Sequence, residues 1–432
     1  MGKHAELLKR HKEVLPSWLA LYYDEPISLV DGNGRRVVDA EGREYLDFFG
    51  GILTTMTGYN VPEVVQAVQE QAAKMVHSST LYLIEQQIEL AEMIADMSPI
   101  PDAKVFFTNS GTEANDTALL LATQYRKSNQ VLALRNSYHG KSHSAIAVTG
   151  NRSWSATALS PFQVTYVHGG YKYRSPFGHL PDDEFVEACV DDLRDLLSIA
   201  TAGDVAAMIA EPIQGVGGFV VPPAGFFSAM KEELDKHGIL LISDEVQTGW
   251  GRTGEHFWGI DADGVVPDMM TFAKGVGNGL AIAGVIAKPE IMDCVQSNHI
   301  STFGGNPLAT AGALANLRYL MDNDLQTNTL KVGQQLRVDI DRLAEETEEI
   351  GEVRGKGLMV GIELVEPGGK APSPRLASAV SEEAKKEALL IGKGGLHGNV
   401  LRIAPPLSLT SEEAAEGFAK LETAVKRAVS KD

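Results

Sequence analysis

Cysteine is scarce in this chain of 432 residues, which contains only Cys189 and Cys294. The two lie far apart in sequence and neither belongs to a C-x-x-C pair, which argues against a zinc site or a disulfide framework. We therefore expect both to be small hydrophobic residues of a protein from a reducing compartment, with no bound metal.

Basic charge and long apolar runs are also lacking. The chain has 38 Lys and Arg against 57 Asp and Glu, which gives a formal net charge of −19. Because nucleic acids are bound by clustered Lys and Arg, this balance argues against a nucleic-acid partner. No stretch approaches the roughly 20 apolar residues of a membrane span, and residues 1–13 lack the apolar core of a signal peptide. These absences favour a soluble, cytoplasmic protein with no membrane partner.

Short apolar segments alternate with longer amphipathic segments through the middle of the chain. This alternation predicts βαβ units, and hence an α/β fold with a mainly parallel seven-stranded sheet flanked by helices. The predicted strands are Lys104–Asn109, Gln130–Arg135, Ala145–Gly150, Val205–Glu211, Ile239–Asp244, Met269–Lys274 and Ile282–Lys288. The predicted helices between them include Thr112–Arg126, Phe185–Ile199 and Gly225–His237.

The two ends of the chain have a different pattern. Residues 27–49 predict short strands joined by turns, and long amphipathic helices follow Asn306. Further strands and a closing helix from Ser411 complete the chain. We therefore predict a large domain over residues 59–306 and a smaller α+β domain built from residues 1–58 and 307–432.

Two predicted strands end in candidate catalytic residues. Ile239–Ser243 leads into Asp244, and a carboxylate there is what an enzyme of pyridoxal-5′-phosphate (PLP) needs to keep the cofactor's pyridine nitrogen protonated. The next such strand ends in Lys274, and a desolvated lysine can form an imine with the cofactor's aldehyde. Asp244 alone is more typical of a helix cap or a surface ion pair. The pairing of the two residues is what indicates PLP.

A candidate phosphate site lies at the end of Lys104–Asn109. The turn Ser110-Gly111-Thr112 opens a predicted helix, where backbone N–H groups, hydroxyls and the helix dipole all favour an anion. The same turn is also a good helix cap without any ligand. Tyr138-His139 follows the next predicted strand, where an aromatic ring could stack on the cofactor; alone, such a pair is more often an ordinary loop.

Eight segments of the chain are informative when they are taken together. They are Asn109-Ser110-Gly111-Thr112-Glu113-Ala114-Asn115, Tyr138-His139-Gly140, Glu211-Pro212-Ile213-Gln214-Gly215, Asp244-Glu245-Val246-Gln247-Thr248-Gly249, Gly251-Arg252-Thr253-Gly254, Ala273-Lys274-Gly275, Thr302-Phe303-Gly304-Gly305-Asn306-Pro307 and Arg402-Ile403-Ala404-Pro405-Pro406. In their order and spacing, these segments resemble the class III (ω-type) aminotransferases of PLP fold type I over essentially the whole chain.

The resemblance implies a role for each matched position. Lys274 would hold PLP as a Schiff base and move the proton between the substrate's Cα and the cofactor's C4′, while Asp244 would pair with the pyridinium. The other cofactor-binding positions would be Ser110, Gly111, Thr112, Tyr138, His139 and Gln247. The resemblance also implies that Thr302 reaches the cofactor phosphate of a neighbouring subunit. A homodimer or a dimer of dimers with a shared active site is therefore expected.

Substrate binding is implied for Arg402, whose guanidinium suits a substrate carboxylate. In the family, the residue matching Glu211 can pair with this arginine when an uncharged group or an amine must fit; a structural ion pair is the alternative for Glu211. Ile52 stands where related decarboxylases carry a glutamine, which favours transamination. Tyr22 lies where ornithine-type members carry an arginine, which disfavours ornithine.

Other segments resemble one branch of the family, the alanine–glyoxylate type 2 or 3-aminoisobutyrate–pyruvate aminotransferases. They include Tyr45-Leu46-Asp47-Phe48-Phe49, His256-Phe257-Trp258-Gly259 and Val353-Arg354-Gly355-Lys356-Gly357-Leu358-Met359. The branch implies amino transfer from alanine or a β/ω-amino acid to glyoxylate or pyruvate. One departure is Gly58-Tyr59-Asn60-Val61-Pro62, which replaces the family's usual G-H-x-H-P. We do not expect this change to abolish activity.

Two alternatives remain open at this point. The same cofactor residues would serve a decarboxylase, an aminomutase or a racemase, because the cofactor supplies the shared chemistry. A non-PLP nucleotide-binding protein is the more remote alternative, suggested by the glycines of Gly275-Val276-Gly277-Asn278-Gly279. That segment lacks the G-x-G-x-x-G spacing followed by a helix.

Overall fold

Residues 2–431 are described by a computed structural model. The strands, in chain order, are β1 (Leu29–Asn33), β2 (Arg36–Asp39), β3 (Glu44–Asp47), β4 (Lys104–Thr108), β5 (Gln130–Leu134), β6 (Gln163–Val167), β7 (Ala207–Ala210), β8 (Leu240–Asp244), β9 (Met269–Phe272), β10 (Ala283–Ala287), β11 (Ile350–Lys356), β12 (Met359–Leu364), β13 (Leu389–Leu390), β14 (Gly392–Gly394) and β15 (Val400–Ile403).

The α-helices run between and around these strands. They are α1 (Lys3–Val14), α2 (Pro62–Lys74), α3 (Glu85–Met97), α4 (Gly111–Arg126), α5 (His143–Ala147), α6 (Asp182–Ile199), α7 (Phe226–Lys236), α8 (Pro289–Met292), α9 (Pro307–Asp322), α10 (Leu325–Glu345), α11 (Pro374–Lys386) and α12 (Ser411–Val429). No helix among residues 2–431 combines the length and the apolar character that crossing a membrane requires.

The central sheet has seven strands in the order β4-β10-β9-β8-β7-β5-β6. Only β10 is antiparallel to its neighbours, and the remaining pairs are parallel. Both faces are buried, because Leu132 and Leu134 of β5 enter one hydrophobic cluster while Val131 and Ala133 enter another. The predicted fold class, a mainly parallel seven-stranded sheet with helices, is confirmed.

One predicted strand is wrong and one strand was missed. The segment predicted as a strand, 145–150, begins in helix α5, which Ser142 caps by accepting a hydrogen bond from the backbone N–H of Ala145 (3.0 Å). A short apolar run does not distinguish a buried helix from a buried strand, so its pattern could not settle the choice. The missing strand is β6, an edge strand that is exposed or half-buried over most of its length and so lacks a strong apolar signal.

Two smaller sheets flank the central one, with the orders β1-β2-β3-β13 and β11-β12-β15-β14. In the first, Leu389–Leu390 pairs in parallel with Leu46 and Asp47, so residues from both ends of the chain share one sheet. This pairing supports our proposal that the smaller domain, residues 1–58 and 307–432, is built from both termini.

A buried charge cluster joins β11 and β12 to the loop that follows β6. Glu363 is fully buried and pairs with Arg354 (2.5 Å) and Arg174, and it also accepts a hydrogen bond from Tyr171. Burial opposes the charge of Glu363, but the Arg354 guanidinium and these hydrogen bonds outweigh burial and hold its pKa below the usual value. Arg174 is therefore occupied by a structural partner.

We predict that Glu363→Gln lowers the free energy of unfolding by about 3–5 kcal/mol, because it leaves two guanidinium groups without their shared carboxylate in the interior. Urea denaturation of the variant and the wild type measures this loss. The control is Glu89→Gln, which breaks the half-exposed Arg318–Glu89 pair and should cost less than about 1 kcal/mol. Equal losses in the two variants would contradict the role given to Glu363.

Candidate active site

A cavity of about 350 Å³ opens at the carboxyl ends of the central strands. Such edges are where ligands of parallel sheets bind. The residues that line it include most of the predicted site, namely Ser110, Gly111, Thr112, Tyr138, His139, Glu211, Asp244, Gln247 and Lys274. The structure therefore brings together residues that lie up to 164 positions apart (274 − 110) in the sequence.

Lys274 lies two residues after the end of β9, in a left-handed backbone conformation (φ 48°). Its turn is held by Asn316 of α9, whose side-chain N–H₂ donates to the carbonyls of Gly275 and Val276, both at 2.9 Å. Burial lowers the pKa of the Lys274 ammonium to about 8, and the nearby Asp244 carboxylate opposes this shift. A lysine with this pKa is partly neutral near physiological pH and can act as a nucleophile or a base.

Asp244 is the last residue of β8, the strand beside β9, and it is 3% exposed. Its Oδ2 is hydrogen-bonded to Nδ2 of Asn115 (2.8 Å) and to Nδ1 of His139 (2.7 Å). Its Oδ1 accepts a hydrogen bond from the backbone N–H of Val246 (3.1 Å). The carboxylate is thus held in one orientation by groups from three separate segments of the chain.

Asn115 belongs to the segment Asn109–Asn115, but its contact with Asp244 was not predicted from the sequence. The Thr271 hydroxyl donates to Oδ1 of Asn115 (2.7 Å), which turns the amide N–H₂ toward Asp244 and toward the His139 carbonyl (2.8 Å). Position Asn115 lies on the first turns of α4, one helical turn after the phosphate-site residues. The sequence does contain a signal for this contact. Asn115 follows Ser110 by five residues in a predicted helix, so both lie near the same end of that helix.

The candidate phosphate site is the first turn of α4. Ser110 is the N-cap and accepts a hydrogen bond from the Glu113 backbone N–H (3.2 Å), so its hydroxyl hydrogen stays free to donate. A Cβ on Gly111 would lie 3.2 Å from the Val246 side chain, which explains why the smallest residue stands there. With Thr112, these groups form a cradle of small residues at the positive end of a helix dipole.

The residues of the cavity fit PLP. A fixed carboxylate for the pyridinium, a helix N-terminus for the phosphate and an amine for the aldehyde all border one cavity. Within residues 2–431, Oε1 of Gln247 and Nε2 of His139 are buried without a hydrogen-bond partner, as expected of polar groups that a bound molecule would complete. Tyr138 lines the cavity with its ring against Trp154 at 5.3 Å.

The second feature of the site is the guanidinium of Arg402, a residue that is only 3% exposed. Its Nε donates to the Lys393 carbonyl and its Nη1 to the Gly215 carbonyl, both at 3.2 Å. The guanidinium lies over the rings of Phe49 (4.9 Å) and Phe219 (5.3 Å). Among residues 2–431, no carboxylate lies within ion-pair distance of it. This buried cation is held by carbonyls and rings, with donors left for an anion.

Glu211 does not pair with Arg402 in this structure. Its two carboxylate oxygens accept hydrogen bonds from the backbone N–H groups of Tyr138 (2.9 Å) and Gly215 (2.8 Å). Burial raises the pKa of Glu211 to about 7, and the Asp244 carboxylate adds to this shift. Glu211 and Arg402 nevertheless both contact Gly215. Glu211 accepts a hydrogen bond from its backbone N–H, and Arg402 donates one to its carbonyl.

Four predicted residues are not among those that line the cavity: Arg402, Tyr22, Ile52 and Thr302. Tyr22 donates a hydrogen bond to the Lys393 carbonyl (3.1 Å), and its hydroxyl lies beside Arg402. Ile52 is 45% exposed. Thr302 is exposed and does not line the cavity within this chain. Its neighbour Ser301 accepts a hydrogen bond from Asn109 (3.1 Å), just before the phosphate-site turn.

The aminotransferase class-III family matches residues 22–425. An Arabidopsis thaliana protein named alanine–glyoxylate aminotransferase 2 homolog 2, mitochondrial, is 39% identical over 410 residues, covering 94% of this chain and 84% of the relative. A leucine/methionine racemase of Thermococcus litoralis is 38% identical, covering 97% of this chain and 95% of the relative.

A third relative is an acetylornithine aminotransferase of Mycolicibacterium smegmatis, 39% identical over 92% of this chain and 93% of the relative. Among solved structures, an (S)-enantioselective omega-transaminase of Thermomicrobium roseum is 33% identical. It superposes with a TM-score of 0.91 and covers 99% of this chain and 100% of that one. From the family match and these relatives, the chain belongs to the class III aminotransferases and is a PLP-dependent aminotransferase.

Proposed function

We propose that the enzyme moves an amino group from alanine or a β/ω-amino acid to glyoxylate or pyruvate by a ping-pong mechanism. The observation that carries the proposal is the buried Arg402 guanidinium, which lacks a carboxylate partner within residues 2–431. Donor and acceptor of such a reaction both bear a carboxylate, which a guanidinium binds through charge-assisted hydrogen bonds. Relatives named alanine–glyoxylate aminotransferase 2, from Arabidopsis thaliana and Homo sapiens, support this choice of substrates.

When bound, PLP supplies the aldehyde that exchanges amino and keto groups and the ring that accepts electrons from the bond broken at the substrate's Cα. Lys274 would hold the cofactor and, once displaced by substrate, take the proton from Cα. Its lowered pKa, about 8, suits a base at neutral pH. Asp244, oriented by Asn115 and His139, would hold the pyridine nitrogen in its protonated form.

The other residues would hold and orient the reactants. Ser110, Gly111 and Thr112 would take the phosphate at the start of α4, and Gln247 would hydrogen-bond the phenolic oxygen. Tyr138 would cover one face of the ring. Arg402 would take the carboxylate of each substrate in turn. Glu211 would have to give up its two backbone hydrogen bonds to turn toward Arg402 when an amine-bearing group must fit.

Racemisation is the second candidate activity. It is favoured by relatives named leucine/methionine racemase (38% identical) and alanine/serine racemase (36% identical), which cover this chain as fully as the aminotransferases do. The cofactor residues would serve both reactions. A racemase needs no keto acid, whereas a transaminase consumes one per amino group transferred, so the demand for an acceptor separates the two.

We also propose that the enzyme works as a homodimer or a dimer of dimers. Large apolar side chains stand exposed on two segments that contact each other through the rings of His77 and Phe303 (5.1 Å). They are Leu81 (75% exposed), Tyr82 (71%), Leu83 (93%), Ile300 (57%) and Phe303 (60%). A patch of this kind favours association with a second chain. Thr302 lies within it, where it would reach the cofactor phosphate of the partner subunit.

We further propose a cytoplasmic location. Both cysteines are free in the structure, as expected in a reducing compartment, and the acidic composition suits a freely diffusing enzyme. Relatives from Arabidopsis thaliana and Homo sapiens carry the word mitochondrial in their names, and imaging of the tagged full-length protein would distinguish the two locations.

The substrate proposal is tested by absorbance of the PLP-loaded enzyme. We expect a near-visible band that L-alanine or 3-aminoisobutyrate bleaches and that pyruvate or glyoxylate restores, because each half-reaction changes the form of the cofactor. Lys274→Ala is the control and should lack the bleaching. A band that neither amine bleaches would contradict the substrates, and racemisation of alanine without added keto acid would favour the second candidate.

The pKa of Lys274 leads to a second prediction. PLP-free enzyme should take up PLP at a rate that rises with pH and levels off above about 8, because only the neutral amine attacks the aldehyde and burial lowers the pKa of Lys274 to about 8. Stopped-flow absorbance over a series of pH values measures this rate. A rate that keeps rising toward the ordinary lysine value of 10.5 would show that burial does not lower the pKa.

The subunit interface can be tested by placing charge in the apolar patch. The double substitution Leu83→Asp and Phe303→Asp should convert the oligomer to inactive monomers, because two carboxylates would have to be buried without partners. Analytical ultracentrifugation gives the oligomeric state. Val338→Asp, at an exposed apolar position of α10 (69%), is the matched control and should stay assembled. A wild-type enzyme that is monomeric and active would contradict the proposal.

A further inference from the structure

A left-handed helical turn leads from β3 toward the substrate side of the site. Gly50, Gly51, Ile52 and Leu53 all have positive φ angles, 54°, 58°, 65° and 61°. Glycine adopts this conformation readily, but an isoleucine or leucine does so only when its surroundings impose it. The turn therefore needs a structure that holds it in place.

Asp47 provides the attachment. This carboxylate is 3% exposed, and its Oδ1 accepts hydrogen bonds from the backbone N–H groups of Phe49 (2.7 Å) and Gly50 (3.1 Å). No Lys, Arg or His within residues 2–431 lies within ion-pair distance of Asp47. Its other oxygen, Oδ2, accepts a hydrogen bond from the Tyr59 hydroxyl at 2.5 Å. Tyr59 thus fixes the orientation in which Asp47 meets the turn.

The left-handed turn, when it is held in place, positions the neighbouring Phe49. The Phe49 ring lies 4.9 Å from the Arg402 guanidinium and 5.9 Å from the ring of Tyr22. A Cβ on Gly392 would come within 2.2 Å of the Phe49 ring, so the backbone of Gly392 packs directly against this ring. The backbone N–H of Ala404, two residues after Arg402, donates to the carbonyl of Phe48 at 2.7 Å.

We propose that Tyr59 is a positioning residue for substrate carboxylates: its hydroxyl orients Asp47, Asp47 holds the left-handed turn, and the turn seats Phe49 against Arg402. The inference rests on the proposed role of Arg402. It assigns a purpose to the departure from G-H-x-H-P, since the tyrosine that replaces the first histidine supplies a neutral hydrogen-bond donor to a carboxylate that lacks a cation.

Tyr59→Phe removes only the hydroxyl and tests the inference. We expect the KM for L-alanine and for pyruvate to rise about tenfold with kcat nearly unchanged, because losing the hydrogen bond to Asp47 loosens the turn that seats Phe49 and weakens substrate binding without touching the reacting atoms. The absorbance of bound PLP should not change. Hydrogen exchange at the amides of Phe49 and Gly50 should become faster, because their shared acceptor is less well oriented.

Two further variants sharpen the result. Tyr59→His keeps a donor and should restore both KM values to near wild type. Tyr45→Phe is the matched control, since the Tyr45 hydroxyl donates to a different buried carboxylate, Asp39 (2.9 Å), from the same small sheet. It should leave KM and the exchange of the Phe49 and Gly50 amides unchanged.

Arg402→Gln separates this inference from the proposed function. If Arg402→Gln raises KM but Tyr59→Phe does not, or if Tyr45→Phe raises KM as much as Tyr59→Phe, the positioning role of Tyr59 is overturned and the proposed function stands. If Arg402→Gln leaves KM unchanged, the carboxylate site is misassigned and both fall. A tenfold rise for Tyr59→Phe that Tyr59→His reverses supports the inference.

Discussion

The placement of a lysine amine beside a carboxylate in a buried cavity is the constraint on which the active site depends. Burial disfavours the charged form of Lys274, whereas Asp244 favours it, and the balance leaves the pKa near 8. The two residues meet because β8 and β9 are adjacent parallel strands, in which Asp244 is paired with Thr271. Thr271 in turn orients Asn115, which holds Asp244. Strand pairing thus determines both the position and the chemistry of the pair.

The substrate side of the site depends on a different part of the chain. Arg402 belongs to β15, in the small sheet β11-β12-β15-β14. It donates a hydrogen bond to the Gly215 carbonyl in the loop after β7. Phe49, from near the other end of the chain, supplies one of the two rings beside it. The proposed binding site for carboxylates therefore requires the central sheet and both flanking segments to be assembled correctly. Tight packing at this junction explains why glycines line it, as at Gly392.

Much of this architecture could be predicted from the sequence, because buried parallel strands are continuous apolar runs. Strands such as β5, β8 and β9 were located to within a residue or two, and their polar ends identified Asp244 and Lys274. The segment that begins in α5 was misassigned because a run as short as its four apolar residues, Ala145 to Val148, fits a helix as well as a strand. Edge strand β6 was missed because its exposure leaves no clear pattern.

Other features had no sequence signal of their own. No propensity predicts a left-handed turn at Ile52 and Leu53, because only tertiary contacts stabilise it. The sharing of Gly215 between Glu211 and Arg402 likewise depends on distances between segments 187 positions apart. The resemblance to class III aminotransferases predicts the residues of the site, whereas the contacts that connect them are visible only in the structure.

The most direct test of the central claim is to locate the bond to the cofactor. The PLP-loaded enzyme would be reduced with borohydride, digested with a protease and analysed by mass spectrometry. We predict that the PLP-derived mass is found on the peptide that contains Lys274 and on no other. Label on a different lysine, or no label on a protein that demonstrably binds PLP, would contradict the assignment of Lys274 and the mechanism built on it.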